Sequence, residues 1–253
     1  MTTLQTASTP WPLVDGLYRS PALTALGLVA AFTPAALGSM GGSVFSHEEQ
    51  AANRDRVAGG LGFPAVVRVR QVHGSHVVRA DAPFPQPWPA ADALWTDRPD
   101  VLLGVSAADC VPLLIADDEG RIGAAHAGWE GTTLRVAQAL VHALVAAGAE
   151  RERLVAAIGP AIGPCCYTVG EERAALIRDR LGVDGSAALS SGEEGPVFDV
   201  PGANAAQLAA AGVGTIELCG TCTRCGEGEL WSYRSRGERG PQGTGAALIG
   251  RPS

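Results

Sequence analysis

The sequence predicts a domain that mixes α-helices with β-strands. Short apolar runs bounded by Gly, Pro or Asp recur along the chain, and such runs are typical of strands. Other, longer segments place apolar side chains three or four residues apart, which is typical of helices. The chain has 253 residues, of which 46% are hydrophobic, so it can bury a sizeable core. Because no linker divides it, we expect one domain over residues 1–253.

The first half of the chain predicts one helix and four strands. Residues 1–37 carry scattered Pro and Ala, so we expect a loosely specified N-terminal segment, with the core beginning near Gly41. The helix ends at a Gly pair, and each strand is an apolar run that stops at a breaker. In chain order these elements are a helix over residues 48–61, a strand over 65–73, a strand that begins at 101, and a hairpin of strands over 112–116 and 121–127.

The second half predicts three helices separated by strands and loops. Residues 131–147 show helical spacing, with apolar side chains at 134, 137, 140, 141, 144 and 145. The remaining elements follow from the same patterns: a strand over 153–159, a helix over 171–180, a Gly/Ser/Glu-rich loop over 182–196, a helix over 203–211, a strand over 215–219 and a last hairpin around 231–236.

The charge of the chain disfavours a nucleic-acid partner. There are 26 acidic against 19 basic residues, the net charge is −7, and no Lys/Arg block occurs. A small-molecule substrate is therefore expected. No secretory signal is visible at the N-terminus and no apolar stretch is long enough to span a membrane, so we predict a cytoplasmic protein without a membrane partner. In that compartment the six Cys are expected to be reduced.

Two His and one Cys follow apolar runs, and each is followed within two residues by a Gly or Pro. They are His73 in QVHG (71–74), Cys110 in ADCVP (108–112) and His126 in AAHAGW (124–129). Strand ends flanked by breakers are where mixed folds gather functional groups from distant parts of the chain. Catalytic zinc commonly takes three protein ligands and keeps a fourth position open. A lone His or Cys is also common as a packed residue, so the residues alone leave a metal site and simple packing as alternatives.

Two acidic residues accompany these three. Asp109 precedes Cys110, and neighbouring strand residues point to opposite faces, so Asp109 is not expected to share the direction of Cys110. We predict that Asp109, and likewise Asp92, support the site without being ligands.

A second group of thiols lies near the C-terminus. Cys219, Cys222 and Cys225 contain Cys-x-x-Cys spacings, which are common in zinc and iron–sulfur sites. No fourth ligand stands nearby in sequence, and Cys165 and Cys166 can reach them only through folding. We favour structural or incidental thiols here.

Together with ADAL (91–94), IGPAI (158–162) and SYR (232–234), the three candidate segments resemble the multicopper polyphenol oxidase, laccase-domain or purine nucleoside phosphorylase family. The resemblance covers most of residues 38–245 and preserves the order of the motifs. It implies an α+β fold with a mixed β-sheet core covered by helices, an α/β/β/α sandwich that resembles cysteine hydrolases. It also implies that His73, Cys110 and His126 hold a catalytic Zn²⁺.

The activity that the resemblance implies is a zinc-dependent reaction of purine nucleosides. Adenosine, inosine and methylthioadenosine would be split by phosphate into free base and ribose 1-phosphate, and adenosine would also be deaminated. Cys110 and His126 would then act at the metal, and Arg54 and Arg234 would neutralise developing charge. The sequence departs from the family pattern at Glu130, where a basic residue is usual, and at GPQG (240–243), which replaces Thr-Gly-Arg-Gln.

Two other chemistries fit the same residues. Cys110 can be the nucleophile of a cysteine hydrolase or amidase with His126 or His73 as base, a reading in keeping with family members linked to peptidoglycan precursor editing. Copper chemistry is the weaker alternative. The chain contains only five His, and its Met residues are Met1 and Met40, which leaves too few imidazoles for a multicopper cluster and no obvious axial thioether.

Overall fold

Two six-stranded sheets pack face to face in the computed structural model, which describes residues 10–226 and 228–252. The strands are β1 Leu13–Val14, β2 Leu17–Arg19, β3 Val29–Phe32, β4 Val66–Val67, β5 Val77–Arg79, β6 Ala93–Thr96, β7 Leu102–Ala107, β8 Val111–Ala116, β9 Ile122–Ala127, β10 Val155–Ile158, β11 Leu189–Gly192, β12 Gly195–Phe198, β13 Thr215–Leu218 and β14 Gly245–Gly250. The helices are α1 Pro21–Thr24, α2 His47–Gly60, α3 Trp129–Thr133, α4 Val136–Ala146, α5 Glu171–Leu181, α6 Val183–Ala187 and α7 Val200–Ala210.

Both large sheets are mixed. The first has the order β1-β2-β3-β14-β7-β4, and the second has the order β13-β10-β8-β9-β6-β5. Parallel pairs join β4 to β7, β5 to β6 and β10 to β13, whereas the other neighbours in these sheets are antiparallel. The strands β11 and β12 form a separate antiparallel pair.

Alternation along the strands sorts the side chains into three apolar layers. In β8, Leu114 faces the core between the two sheets, whereas Leu113 and Ile115 face a layer covered by α4, α5 and α7. In β7, Leu103 faces the central core, and Leu102 faces α2. The α+β prediction and the α/β/β/α layering are therefore confirmed.

The N-terminal segment is more ordered than the sequence suggested. Within residues 10–37, β3 pairs with β14 along its whole length and Phe32 is buried in the central core. The sequence pattern of β3 is weak, because two of its four residues are Ala, and its partner β14 lies more than 200 residues away. Residues 1–9 lie outside the described part of the chain.

The predicted helix over residues 131–147 is two helices. Arg135 adopts a left-handed backbone conformation with φ of 62° and separates α3 from α4. The α7 side chains supply partners to the interrupted turn, since Gln207 Nε2 donates to the Thr132 carbonyl at 2.9 Å and Asn204 Nδ2 to the Thr132 hydroxyl at 2.9 Å. The apolar spacing continues unchanged across the two residues between α3 and α4, so the sequence pattern could not reveal the break.

Three further predictions differ from the structure. The loop predicted over residues 182–196 contains α6 and the β11–β12 hairpin. The hairpin predicted around 231–236 is instead a 3₁₀ turn over Tyr233–Ser235. The strand β14 was not predicted, because its Gly/Ala-rich sequence has low strand propensity and is placed by burial between β3 and β7. Among residues 10–226 and 228–252, no helix is both long and apolar enough to cross a membrane.

The buried N-terminal strand leads to a stability prediction. Phe32→Ala should lower the free energy of unfolding by about 3–5 kcal/mol, because Phe32 is 1% exposed and its loss leaves a cavity between the sheets. Leu13→Ala is the matched control, since Leu13 is 59% exposed, and it should change stability by no more than about 0.5 kcal/mol. Urea unfolding measures both. Equal small effects would show that the N-terminal strands are not part of the cooperative fold.

Candidate metal centre

His73, Cys110 and His126 meet where the chain passes between the two sheets. His73 lies between β4 and β5, and Cys110 lies between β7 and β8, so each stands on a crossing from the first sheet to the second. His126 lies on β9. One ligand atom from each residue lies within 4.8 Å of the other two. The structure therefore brings together all three residues that the sequence proposed as metal ligands.

The cluster has a buried end and an open end. His126 is only 3% exposed, Cys110 is half-buried and His73 is exposed. The two imidazole rings meet edge to face, with their centroids 4.9 Å apart. An ion held here would be reached from the His73 side.

The carboxylate of Asp92 organises two of the three candidate ligands. It is fully buried, and its Oδ1 lies 2.9 Å from Nδ1 of His126, which leaves Nε2 of that ring free for the cluster. The same carboxylate accepts backbone N–H groups from Val72 at 3.1 Å, His73 at 3.0 Å and Gly74 at 2.7 Å. Burial opposes its charge, but hydrogen bonds from His126 and Gly74 outweigh this and hold the pKa of Asp92 below its ordinary value.

His73 lies in a loop, and the strand predicted over residues 65–73 ends at Val67. Its backbone is left-handed, with φ of 60°. Gln71 fixes the entry of this loop, since its side-chain amide exchanges hydrogen bonds of 2.8 Å with the backbone N–H and carbonyl of Ser106 on β7. The local conformation is therefore set by distant partners, which a strand pattern cannot report.

Asp109 holds the turn of Cys110 in place, much as Asp92 holds the loop of His73. Its backbone is left-handed, with φ of 82°, and its carbonyl accepts the N–H of Ile162 at 2.9 Å. Its carboxylate accepts the Thr223 hydroxyl at 2.6 Å and the backbone N–H of Arg234 at 2.7 Å. Asp109 thus ties the turn that carries Cys110 to three later parts of the chain.

Gly128 has no side chain, and this leaves room for the side chains of Cys110 and His73. A Cβ at this position would lie 2.9 Å from Sγ of Cys110 and 3.3 Å from Cδ2 of His73. The first distance is shorter than side chains tolerate, so the backbone of the segment after His126 packs directly against two of the candidate ligands.

In the protein without a bound ion, Cys110 and the two imidazoles stabilise one another's charges. Burial alone would raise the pKa of the Cys110 thiol, but the charge and hydrogen bonds of His126 and His73 lower it to about 6. Burial disfavours the charged His126 ring, yet Cys110 and Asp92 raise its pKa to about 9. The hydrogen bond with Cys110 raises the pKa of His73. The site therefore favours a thiolate, which is the form that binds metal.

Arg234 lies on the Cys110 side of the cluster. Its guanidinium stacks on the Tyr167 ring at 5.1 Å and donates to the Thr168 carbonyl at 3.1 Å. Burial raises the pKa of the Tyr167 hydroxyl, against the opposing charges of Arg173 and Arg234. Tyr167 and Arg173 were not found from the sequence, because no local pattern connects them with Cys110.

Arg54 is placed differently from the other candidates. Its guanidinium donates to the Met40 carbonyl at 2.7 Å, and Arg68 donates to the same carbonyl at 3.2 Å. Arg68 also stacks on Trp88 at 4.6 Å. Within the described residues, no hydrogen bond or ion pair joins Arg54 to the His73, Cys110 and His126 cluster, so the structure gives it a supporting position around Met40.

Folding brings four of the other thiols together in a second cluster. Cys222 and Cys225 meet Cys165 and Cys166, and the four sulfur atoms lie within 4.8 Å of one another. The missing fourth ligand was far away in sequence. Cys219 does not join them, since it is buried and its thiol contacts the Thr221 hydroxyl at 3.3 Å.

Comparisons with known proteins agree with this arrangement. The model of the family described as multi-copper polyphenol oxidoreductase laccase matches residues 39–252. A protein of Deinococcus radiodurans named purine nucleoside phosphorylase is 45% identical over 212 residues, which are 80% of this chain and 77% of that protein. A protein from an unknown prokaryotic organism named adenosine deaminase RL5 is 31% identical over 190 residues, 70% of this chain and 72% of that protein.

A solved structure shows the same architecture. The crystal structure of YlmD from Geobacillus stearothermophilus superimposes with a TM-score of 0.85 at 32% identity, covering 97% of this chain and all of that chain. The family match spans the three segments that carry His73, Cys110 and His126. The chain therefore belongs to the multi-copper polyphenol oxidoreductase laccase family.

Proposed function

We propose that this chain is a zinc-dependent purine nucleoside enzyme. It would use phosphate to convert adenosine, inosine and methylthioadenosine to free base and ribose 1-phosphate, and it would also deaminate adenosine. The names of its relatives, purine nucleoside phosphorylase and adenosine deaminase, support the substrate class. The observation that carries the proposal is the convergence of His73, Cys110 and His126 at one open-ended centre oriented by Asp92.

The donor set favours zinc. One thiolate and two imidazoles are a common ligand mixture for catalytic zinc, and a carboxylate behind a ligating His is its usual companion. Copper is supported less well. Met40, the only Met in the described part of the chain, is buried in the layer beneath α2 and is not among the three clustered side chains, so the cluster has no axial thioether.

Different residues of the chain would have different roles in the proposed reaction. His73, Cys110 and His126 would hold the Zn²⁺, which with one thiolate and two neutral imidazoles as ligands would keep a net positive charge and would supply polarisation of a phosphate or water oxygen. His126 holds its ligand position because Asp92 fixes its Nδ1. Arg234, held by Tyr167 and Asp109, offers a guanidinium that can neutralise charge on phosphate. Because Arg54 donates to Met40, we assign the direct role to Arg234.

One alternative is supported by a separate observation. The lowered pKa of Cys110, next to two imidazoles, also suits the nucleophile of a hydrolase or amidase that acts in peptidoglycan precursor editing. In that mechanism the thiolate would attack a carbonyl carbon, and His126 would protonate the leaving amine. A bound zinc ion would occupy the same sulfur, so the two mechanisms require different states of Cys110.

Removal of the thiolate tests the proposed function. Cys110→Ala should lower the turnover of inosine and adenosine by more than about 100-fold, beyond what loss of a supporting residue causes at a metal site. Turnover is followed by release of free base with and without phosphate. Cys219→Ala is the matched control, since that thiol belongs to neither cluster, and it should keep its activity. Equal turnover of Cys110→Ala and the unchanged protein would refute the site, and turnover independent of phosphate would refute phosphorolysis.

The role of Asp92 is tested by metal affinity. Asp92→Asn should weaken zinc binding at this centre by about 10–100-fold, because His126 loses the carboxylate that fixes its orientation. Competition with a chelator of known affinity measures the change, with the four-cysteine cluster removed by Cys222→Ser so that one centre is observed. Asp118→Asn, on an exposed turn, serves as the control and should bind zinc like its parent. Unchanged affinity in Asp92→Asn would show that the contact with His126 does not support a ligand.

The pH dependence of alkylation separates the metal and thiol mechanisms. A lowered pKa means that the thiolate survives to lower pH, so metal-free protein should react with iodoacetamide at Cys110 with a midpoint near pH 6 rather than near the ordinary 9.0. His126→Ala should move the midpoint upward, and added zinc should slow the reaction. If chelation leaves turnover intact while alkylation abolishes it, the thiol mechanism replaces the proposed one.

A further inference from the structure

The four-cysteine cluster lies outside the centre described above. Sγ of Cys225 is 3.4 Å from Sγ of Cys165 and 3.5 Å from Sγ of Cys166, and Cys222 completes the group. None of the four is in a disulfide. Because Cys225 is almost equally close to two other sulfurs, the arrangement has a common centre and does not divide into pairs.

Two segments that follow the parallel strands β10 and β13 bring the thiols together. Ala161 N–H donates to the Thr221 carbonyl at 3.2 Å, and Thr223 N–H donates to the Ala161 carbonyl at 3.0 Å, which extends the pairing of these strands to the cluster. A turn closed by the Cys166 N–H and the Gly163 carbonyl, at 3.0 Å, then presents Cys165 and Cys166 to the Cys222–Cys225 segment. The sulfurs are thus placed by backbone geometry.

One backbone N–H group points at a sulfur of the cluster. Gly163 N–H donates to Sγ of Cys222 at 3.3 Å, from the turn that presents Cys165 and Cys166. A hydrogen bond to sulfur stabilises negative charge on it, and the thiolate is the form that binds a metal.

We propose that Cys165, Cys166, Cys222 and Cys225 form a second, structural zinc site. Four thiolates at about 2.3 Å from one Zn²⁺ in a tetrahedron would place the sulfurs about 3.8 Å apart, which is close to the spacing in the structure. Four protein ligands leave no position for substrate, so the site is closed and serves the fold. A cluster of several irons needs its thiolates further apart, since each binds a different metal atom.

The site would brace the catalytic centre from behind. Thr223, between the two Cys of the second pair, donates to the Asp109 carboxylate, and Ile162 donates to the Asp109 carbonyl. Tyr167, directly after Cys166, carries the stacked guanidinium of Arg234. Both segments that bind the metal therefore continue into contacts with the turn of Cys110 and with Arg234.

Metal counting tests this proposal independently of the proposed function. Protein purified under reducing conditions should contain about two zinc ions per chain, Cys222→Ser about one, and the double variant Cys110→Ala with His126→Ala about one. The matched control Cys219→Ser should retain about two, because Cys219 lies outside both groups. If the protein holds both zinc ions but does not turn over inosine or adenosine, the proposed reaction is overturned and the second site remains in place.

Measurements on the unchanged protein keep the test decisive if Cys222→Ser does not fold. X-ray absorption at the zinc edge should report on average about two to three sulfur ligands per zinc, whereas the catalytic centre alone would give about one. Titration of thiols in denaturant without reductant should, after zinc is removed, find all six Cys free. Equal zinc content in Cys222→Ser and the unchanged protein, iron in place of zinc, or a disulfide among the four residues would each overturn the proposal.

Discussion

The buried carboxylate of Asp92 is the interaction on which the candidate site depends. A carboxylate without access to water is unfavourable unless each oxygen has partners, and here three backbone N–H groups and one imidazole provide them. The same contacts force the loop of His73 into its left-handed turn and select which nitrogen of His126 faces the centre. One electrostatic requirement thus fixes two candidate ligands that are 53 residues apart in sequence.

The layered fold explains why the site lies where it does. The strands β7, β8, β9 and β14 are buried almost throughout, so polar groups are accommodated more readily where the chain leaves one sheet for the other. The crossings at His73 and Cys110 are such places, and the end of β9 brings His126 beside them. Asp109 repeats on the Cys110 side what Asp92 does on the His73 side, since its oxygens accept groups from Thr223 and Arg234.

Sequence patterns predicted what depends on local chemistry. The helix α2 ends at a Gly pair, the strands of the β8–β9 hairpin are apolar runs, and the motifs around His73, Cys110 and His126 pointed to the cluster through a family resemblance. What they missed depends on distant partners. The strand β14 is defined by its place between β3 and β7, the break at Arg135 by side chains of α7, and the meeting of Cys165 with Cys225 by the pairing of β10 with β13. Arg54 also has a partner that no sequence pattern indicates, since its guanidinium donates to the Met40 carbonyl.

The gradient of exposure across the cluster would set an order for exchange of the proposed ion. His126 is buried in the interior, and His73 lies at the surface on a loop. An incoming ion would meet His73 first and then Cys110 and His126, and a departing ion would leave past His73. A nucleoside that reached the proposed ion would have to use the same opening, so while bound it would also retard escape of the ion.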